Sequence, residues 1–344
     1  MSSTAFTIPE RFSKFETMHR QQISHLWSPP EISSFSSDIN DWSNMDSNIR
    51  RRIKGVVNVL TQMEPAIMQN ISDIDSIMKK ILPSDLLHEM SIIFILLDFQ
   101  KAMEGIHVIS YKKIDDILVI DNEKTYNEEY GPFMKAKVDV ISKWRGPCGK
   151  QLKLLSSSDQ RRYLARAIIG NIASEGLVFN TLFSFLQYLS KLRLLPKVTF
   201  TNEEVRIDEN YHTSTGIQLL LTLIDIGEIP RLPQDEVYSI IEEFVAVDDM
   251  AIDVIFKDMK EYEKKFFLVM NAENSKKYTR IVANVILQAI GYKPLYPYTM
   301  VDNPYDFTES ALLHDESLFF DKEVALYGID HDNQYHEDSD PEYE

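Results

Sequence analysis

Several things are scarce in this sequence. Among 344 residues there is one cysteine, Cys148, so no internal disulfide framework is available; a reducing compartment suits the chain, and Cys148 reads as an ordinary buried thiol. Glycine numbers only 11, and no cluster of it forms a phosphate-cradling loop. Strict apolar–polar alternation, the mark of strands, is missing too. The most apolar run, Met90 to Leu97 (MSIIFILL), is too short to span a bilayer and is followed at once by Asp98, Gln100 and Lys101. It reads as a buried core helix, and no membrane partner is expected. The opening MSSTAFTIPERFSKFETMHR mixes charges into its apolar residues and lacks the uninterrupted core of a signal peptide. A cytoplasmic protein is expected, in a host's cytoplasm if the chain is phage or viral. Positive charge is short as well: 36 Lys and Arg face 53 Asp and Glu, a net charge of −17. Nucleic-acid binding needs clustered Lys and Arg, and the only dense basic run, Arg50 to Arg52, reads as a solvated helix face. No nucleic-acid partner is expected.

What the chain does have is apolar periodicity. With 44% hydrophobic residues it is long enough for one large core. Residues 46–72, 86–113, 131–145, 158–193, 203–225, 234–257 and 259–291 each carry apolar side chains at three- and four-residue spacing, which predicts helices. Between Trp27 and Asp38 the stretch WSPPEISSFSSD reads as an extended loop, with Asp38 capping the helix that follows. Residues 114–130 read as irregular, and LPKVTF (195–200) as a short extended connector. The chain therefore divides into an extended segment over 1–37, a helical domain over 38–325, and a flexible acidic tail over 326–344. Long helices with short connections imply an all-α antiparallel bundle, whose sites are built from side chains facing inward from several helices.

One short motif recurs. Glu-x-x-His occurs at Glu104/His107, at Glu209/His212 and at Glu16/His19. Positions i and i+3 share a helix face, so this spacing offers a carboxylate and a nitrogen to one ion. Glu16/His19 sits in a polar segment and is expected to be exposed. The other two lie in apolar helices, where a carboxylate needs a cation or a partner to offset its desolvation. A pair of ions needs further inward carboxylates; Glu64 in VVNVLTQMEPAIM and Glu175 in IASEGLVFNTLF each stand alone among apolar residues. Four carboxylates with two neutral imidazoles would balance two divalent cations.

The order Glu64, Glu104-x-x-His107, Tyr111, Glu175, Glu209-x-x-His212 resembles the small, radical-generating subunit of class I ribonucleotide reductase. WSPPEI (27–32) and NPYDFTESALLHDESLFFDKEVALY (303–327) are similar to that family's opening and closing patterns. The resemblance implies a ferritin-like bundle with a dimetal-carboxylate site, di-iron or mixed manganese–iron, that reacts with O2. It implies a radical on Tyr111 and a hydrophobic lining of Phe179, Phe183 and Val205. Trp27 and Asp208 fall on the family's positions for radical transfer, and Tyr335 or Tyr343 would carry the last step within this chain. The partner implied is the large subunit, docked through the C-terminal tail and holding the ribonucleotide; a homodimer is implied as well.

The chain also departs from the pattern. The family's first ligand is usually Asp, where Glu64 stands here. About nine extra residues before Glu104, around Asn70–Pro83, leave Asp73 as a rival ligand. Arg206 lies one position earlier than the family's arginine, with Ile207 before Asp208. Two other readings are open: a ligand-binding oxidase of the same superfamily, in which a Glu first ligand is typical, and a non-catalytic helical protein whose acidic tail binds a partner.

Overall fold

The computed structural model describes residues 7–120, 123–144, 151–305 and 307–308, with 123–127 described by backbone alone. Among the described residues the periodic apolar stretches fold as helices and no strand occurs. In chain order the α-helices are α1 (Ser13–Ser24), α2 (Ser36–Asn44), α3 (Ser47–Ile81), α4 (Ser84–Glu89), α5 (Ser91–Ile117), α6 (Glu123–Trp144), α7 (Ser157–Ala173), α8 (Asn180–Lys191), α9 (Pro196–Asp225), α10 (Gln234–Ile255), α11 (Glu261–Phe266) and α12 (Ala272–Ala289). Pairs α3/α5 and α7/α9 form the frame, joined where α3 meets α7 and α5 meets α9. Helices α6, α10 and α12 cover one side; α1 lies on α5 and α9, and α2 on α9. Ile53, Leu60, Ile67, Leu96, Leu164 and Leu220 illustrate the core between them. Each such side chain, once buried, stabilises the fold by roughly 1.5–3 kcal/mol. The described stretch long and apolar enough to cross a membrane, Ser157–Lys191, has 94% of its most apolar window buried inside the protein.

Local chemistry starts some of these helices. Asp46 caps α3, accepting from the amides of Asn48 (2.9 Å) and Ile49 (3.4 Å), and Asn271 caps α12 through the amide of Asn274. Helix α9 begins differently. Leu195, at φ 51° and ψ 55°, turns the chain sharply into Pro196 at the first helical position. Its amide donates to Asp41 Oδ2 (2.9 Å), and the Asp38 carboxylate accepts from Lys197 (3.2 Å) and Val198 (2.8 Å). Asp38 thus caps α9 instead of the helix it belongs to.

Other expectations are corrected in the same way. LPKVTF is the first turn of α9 and its entry, since Pro196 presets the helical φ and α2 supplies acceptors for the free amides. The segment 1–37 is helical over Ser13–Ser24, because Phe12, Phe15 and Met18 are buried on one face. Residues 114–130 are helical up to Ile117 and again from Glu123, and α3 runs on through Asn70 to Ile81. The stretch 259–291 is broken into α11 and α12, with Asn271 ending the gap. Arg52 is not on a solvated face: it is buried, its Nε donates to Glu263 (2.8 Å) and its Nη2 to the Lys257 carbonyl (2.9 Å). Its Nη1 donates to the Ile255 carbonyl and so closes the end of α10. Glu16 and His19 are half-buried, His19 standing edge-on to Phe99.

Candidate metal centre

Helix periodicity brings the first candidate ligands together. On α5, Glu104, His107 and Tyr111 are spaced by three and four residues, and on α9 Asn202, Val205, Glu209 and His212 repeat that spacing. Glu64 comes from α3. Glu175 comes from a place where the helix changes winding: Ser174–Val178, between α7 and α8, is a π-helix. Such a turn holds an extra residue and re-aims the side chains within it. Gly176 lets neighbouring side chains close in on this turn, since a Cβ there would lie 2.7 Å from Ile286 Cδ1 and 3.1 Å from Thr213 Cγ2.

The six side chains are buried and converge. Glu64, Glu104, His107 and Glu209 can place ligand atoms within 4.8 Å of one another, and so can Glu104, Glu175, Glu209 and His212. Each group has one imidazole and one carboxylate of its own, and both share Glu104 and Glu209. His107 Nδ1 lies 3.0 Å from Glu209 Oε1 and 3.5 Å from Glu104 Oε2; His212 Nδ1 lies 2.8 Å from Glu104 Oε1 and 3.3 Å from Glu209 Oε2. Glu64 and Glu175 stand at 3.7 and 3.8 Å from His107 and His212 respectively.

These donors fit a pair of cations. Both oxygens of Glu64, Glu104 and Glu209, Oε2 of Glu175, and Nδ1 of both histidines are buried without a hydrogen-bonding partner. Leaving so many polar atoms unsatisfied would be costly unless ions bridged them. Protons partly substitute. Burial, and repulsion from Glu104 and Glu209, push the Glu64 carboxyl well above its ordinary range; burial and Glu209 do the same to Glu175. Burial alone would lower both imidazoles, but Asp208 and the surrounding glutamates outweigh it and raise His107, as Glu104 and Glu209 raise His212. Glu209 is pulled down despite burial, by Glu175 and both histidines.

A hydrogen-bonded line runs outward from the cluster. His107 Nε2 lies 2.9 Å from Asp208 Oδ2, and Trp27 Nε1 donates to the same oxygen at 2.8 Å. A neutral His107 would keep its proton on Nε2, facing Asp208, and turn the Nδ1 lone pair toward a cation in the cluster. Trp27 is half-buried, and its ring lies stacked 6.0 Å from that of His107. Arg206 turns instead to Glu203. Tyr111 is fully buried; its hydroxyl donates to Asn202 Oδ1 (3.3 Å), and Asn202 Nδ2 donates to the Phe183 carbonyl (3.3 Å). Burial, with Glu64 nearby, pushes the phenol up. Phe179 and Phe183 stack at 5.3 Å, and Val205 is buried with them. Asp73 lies outside the cluster, nine residues past Glu64 on α3, and accepts from Gln69 Nε2 at 3.0 Å. Tyr335, Tyr343, the acidic tail and Cys148 lie outside the described residues.

A family model for the ribonucleotide reductase small chain matches residues 6–304. The chain belongs to this family. The ribonucleoside-diphosphate reductase small chain of Variola virus is 28% identical to it over 324 residues, 93% of this chain and 89% of the relative. A putative class I ribonucleotide reductase from Bacillus halodurans shares the fold, with a TM-score of 0.67 at 15% identity over 87% of this chain and 100% of the other. An R2-like ligand-binding oxidase with a reconstituted Mn/Fe cofactor does so with a TM-score of 0.62 at 17% identity, over 83% and 99%.

For a ribonucleotide reductase small chain, sequence reasoning missed Asn202 and the π turn. Asn202 had a signal: it lies three residues before Val205 and seven before Glu209, hence on the ligand face of α9. The π winding had none, because a helical period of 3.6 reads straight through 158–193. Asn171, whose Nδ2 approaches Glu175 Oε1 at 3.4 Å, was hidden with it.

Proposed function

We propose that this chain is the radical-storing subunit of a class I ribonucleotide reductase. Glu64, Glu104, His107, Glu175, Glu209 and His212 hold its two metal ions, and Tyr111 is the residue oxidised. The reading is carried by the two imidazole-centred groups that share Glu104 and Glu209, a donor set for two adjacent ions. A bound di-iron or manganese–iron pair supplies, with O2, the oxidising equivalent. This chain's own residues do the rest. Asn202 Oδ1 fixes the Tyr111 hydroxyl; because its neutral amide is no base, the phenolic proton would leave with the electron to the O2-derived oxidant. The buried pocket around Tyr111 keeps water and reductants away. Asp208 joins His107 to Trp27 and so links the interior to the half-buried edge of the protein. Tyr335 or Tyr343 continues that line in a C-terminal tail docked on the large subunit, where the ribonucleotide binds. The working form is a homodimer in the cytoplasm.

The test is anaerobic loading with Fe(II), or Mn(II) and Fe(II), followed by O2 and electron paramagnetic resonance. A tyrosyl signal is expected, absent in Tyr111→Phe. A chain that takes up two ions and yields no such signal would overturn the radical assignment. That outcome would favour the ligand-binding oxidase, the reading to which Glu64 in place of Asp points.

A further inference from the structure

A second buried cluster adjoins the π turn without touching the ligands. Lys137, on α6, is fully buried; its Nζ donates to the Val178 carbonyl (2.7 Å) and pairs with Asp248 Oδ1 on α10 (3.0 Å). The other oxygen, Asp248 Oδ2, accepts from Thr181 Oγ1 on α8 (2.8 Å) and from Thr279 on α12. Val178 is the last residue of the π turn, three after Glu175, and Thr181 lies three residues beyond Val178. The change of winding puts carbonyls out of register with the amides ahead, and a buried carbonyl needs a donor from elsewhere. Lys137 is that donor.

Stability alone does not account for the pair. A buried salt bridge is commonly no better than apolar side chains of the same volume, because desolvation of both charges offsets their attraction. What it adds here is direction: α6, α10 and α12 together grip the chain at the Val178 carbonyl and again three residues later at Thr181. We infer that the Lys137–Asp248 pair is a positioning device for Glu175, holding Ser174–Val178 in the winding that turns this carboxylate toward Glu209 and His212. The inference rests on the metal-centre reading above.

Its test is equilibrium dialysis of Mn2+ against full-length protein, with circular dichroism and melting as controls. The double variant Lys137→Met/Asp248→Leu removes the pair and leaves no lone charge. It is expected to stay helical and to keep the ion held by Glu64 and His107. Affinity for the ion held by Glu175 and His212 falls by about 10–100-fold, the usual cost of losing groups that orient ligands. Thr279→Val, nearly isosteric, lowers the same affinity by a few-fold. A merely structural role would lower melting without separating the two ions. Wild-type affinities for both ions in both variants overturn the inference, and if the double variant does not fold, unchanged binding by Thr279→Val overturns it alone. Glu175→Ala is the reference. Wild type that binds no Mn2+, or Glu175→Ala that binds like wild type, overturns the metal-centre reading and the inference with it. Loss of one ion in Glu175→Ala, with two kept at full affinity in the other variants, overturns the inference only.

Discussion

Two sets of buried charges meet at the π turn, and they are built on opposite plans. Around Asp248 every charge has its counterpart: one ammonium, one carboxylate, two hydroxyls and a carbonyl, all within hydrogen-bonding reach. Around Glu104 and Glu209 four carboxylates face two imidazoles, and most of the facing atoms have no partner. The first set is complete as it stands. The second is complete only with cations, and that contrast separates a structural ion pair from a ligand set more sharply than burial does.

Neutralising one member of each set tests the contrast directly. Asp248→Asn strands Lys137 in the core and is expected to lower stability by about 3–5 kcal/mol, read from the denaturation midpoint at constant slope. A loss below about 1 kcal/mol would mean that the pair is not closed as described. Divalent ions should act on the other set alone: at one hundred times the dissociation constant they add about 2.7 kcal/mol to wild type, reversed by a chelator. Glu175→Gln should have the opposite sign to Asp248→Asn in metal-free protein, raising stability on the order of 1 kcal/mol because the buried carboxyl must take up a proton to be tolerated there and an amide need not. A fall as large as that of Asp248→Asn would erase the distinction between the clusters.

The smallest effect is a pH slope. Glu64 and Glu175 are raised above their ordinary 4.5, and His107 and His212 above 6.5. Above about pH 5 the folded, metal-free chain therefore holds protons that the unfolded chain has released, and this contribution to stability declines as pH rises through the raised values. Glu209, shifted down, works in the other sense and only below its ordinary 4.5. The melting temperature of metal-free protein is expected to fall between about pH 5 and pH 8, and to flatten with metal bound, since cations replace the protons. An equally steep slope with and without metal would contradict this.

What could be seen in the sequence and what could not divide along the range of the forces involved. Glu104, His107 and Tyr111, or Glu209 and His212, lie on uninterrupted helices, so a 3.6-residue period places them on one face before any tertiary contact is known. Glu64 was legible as a lone carboxylate in an apolar stretch, although Asp73 looked similar until the packing of α3 separated them. Asp38, Arg52 and Lys137 were misread or passed over because their partners lie 160, 211 and 111 residues away. The π turn belongs with them: its winding answers to Lys137 and to the helices around Gly176, and nothing in SEGLV announces it.

The tie between Asp38 and the start of α9 bears on how small this protein can be made. The helix that carries Glu209 and His212 has its first turn finished by a carboxylate 160 residues earlier in the chain. As the chain leaves the ribosome, that carboxylate emerges first and waits for its mate. A minimal version trimmed through α2 would begin α9 with bare amides at Leu195, Lys197 and Val198, and the fraying would start within two turns of the asparagine that holds the phenol.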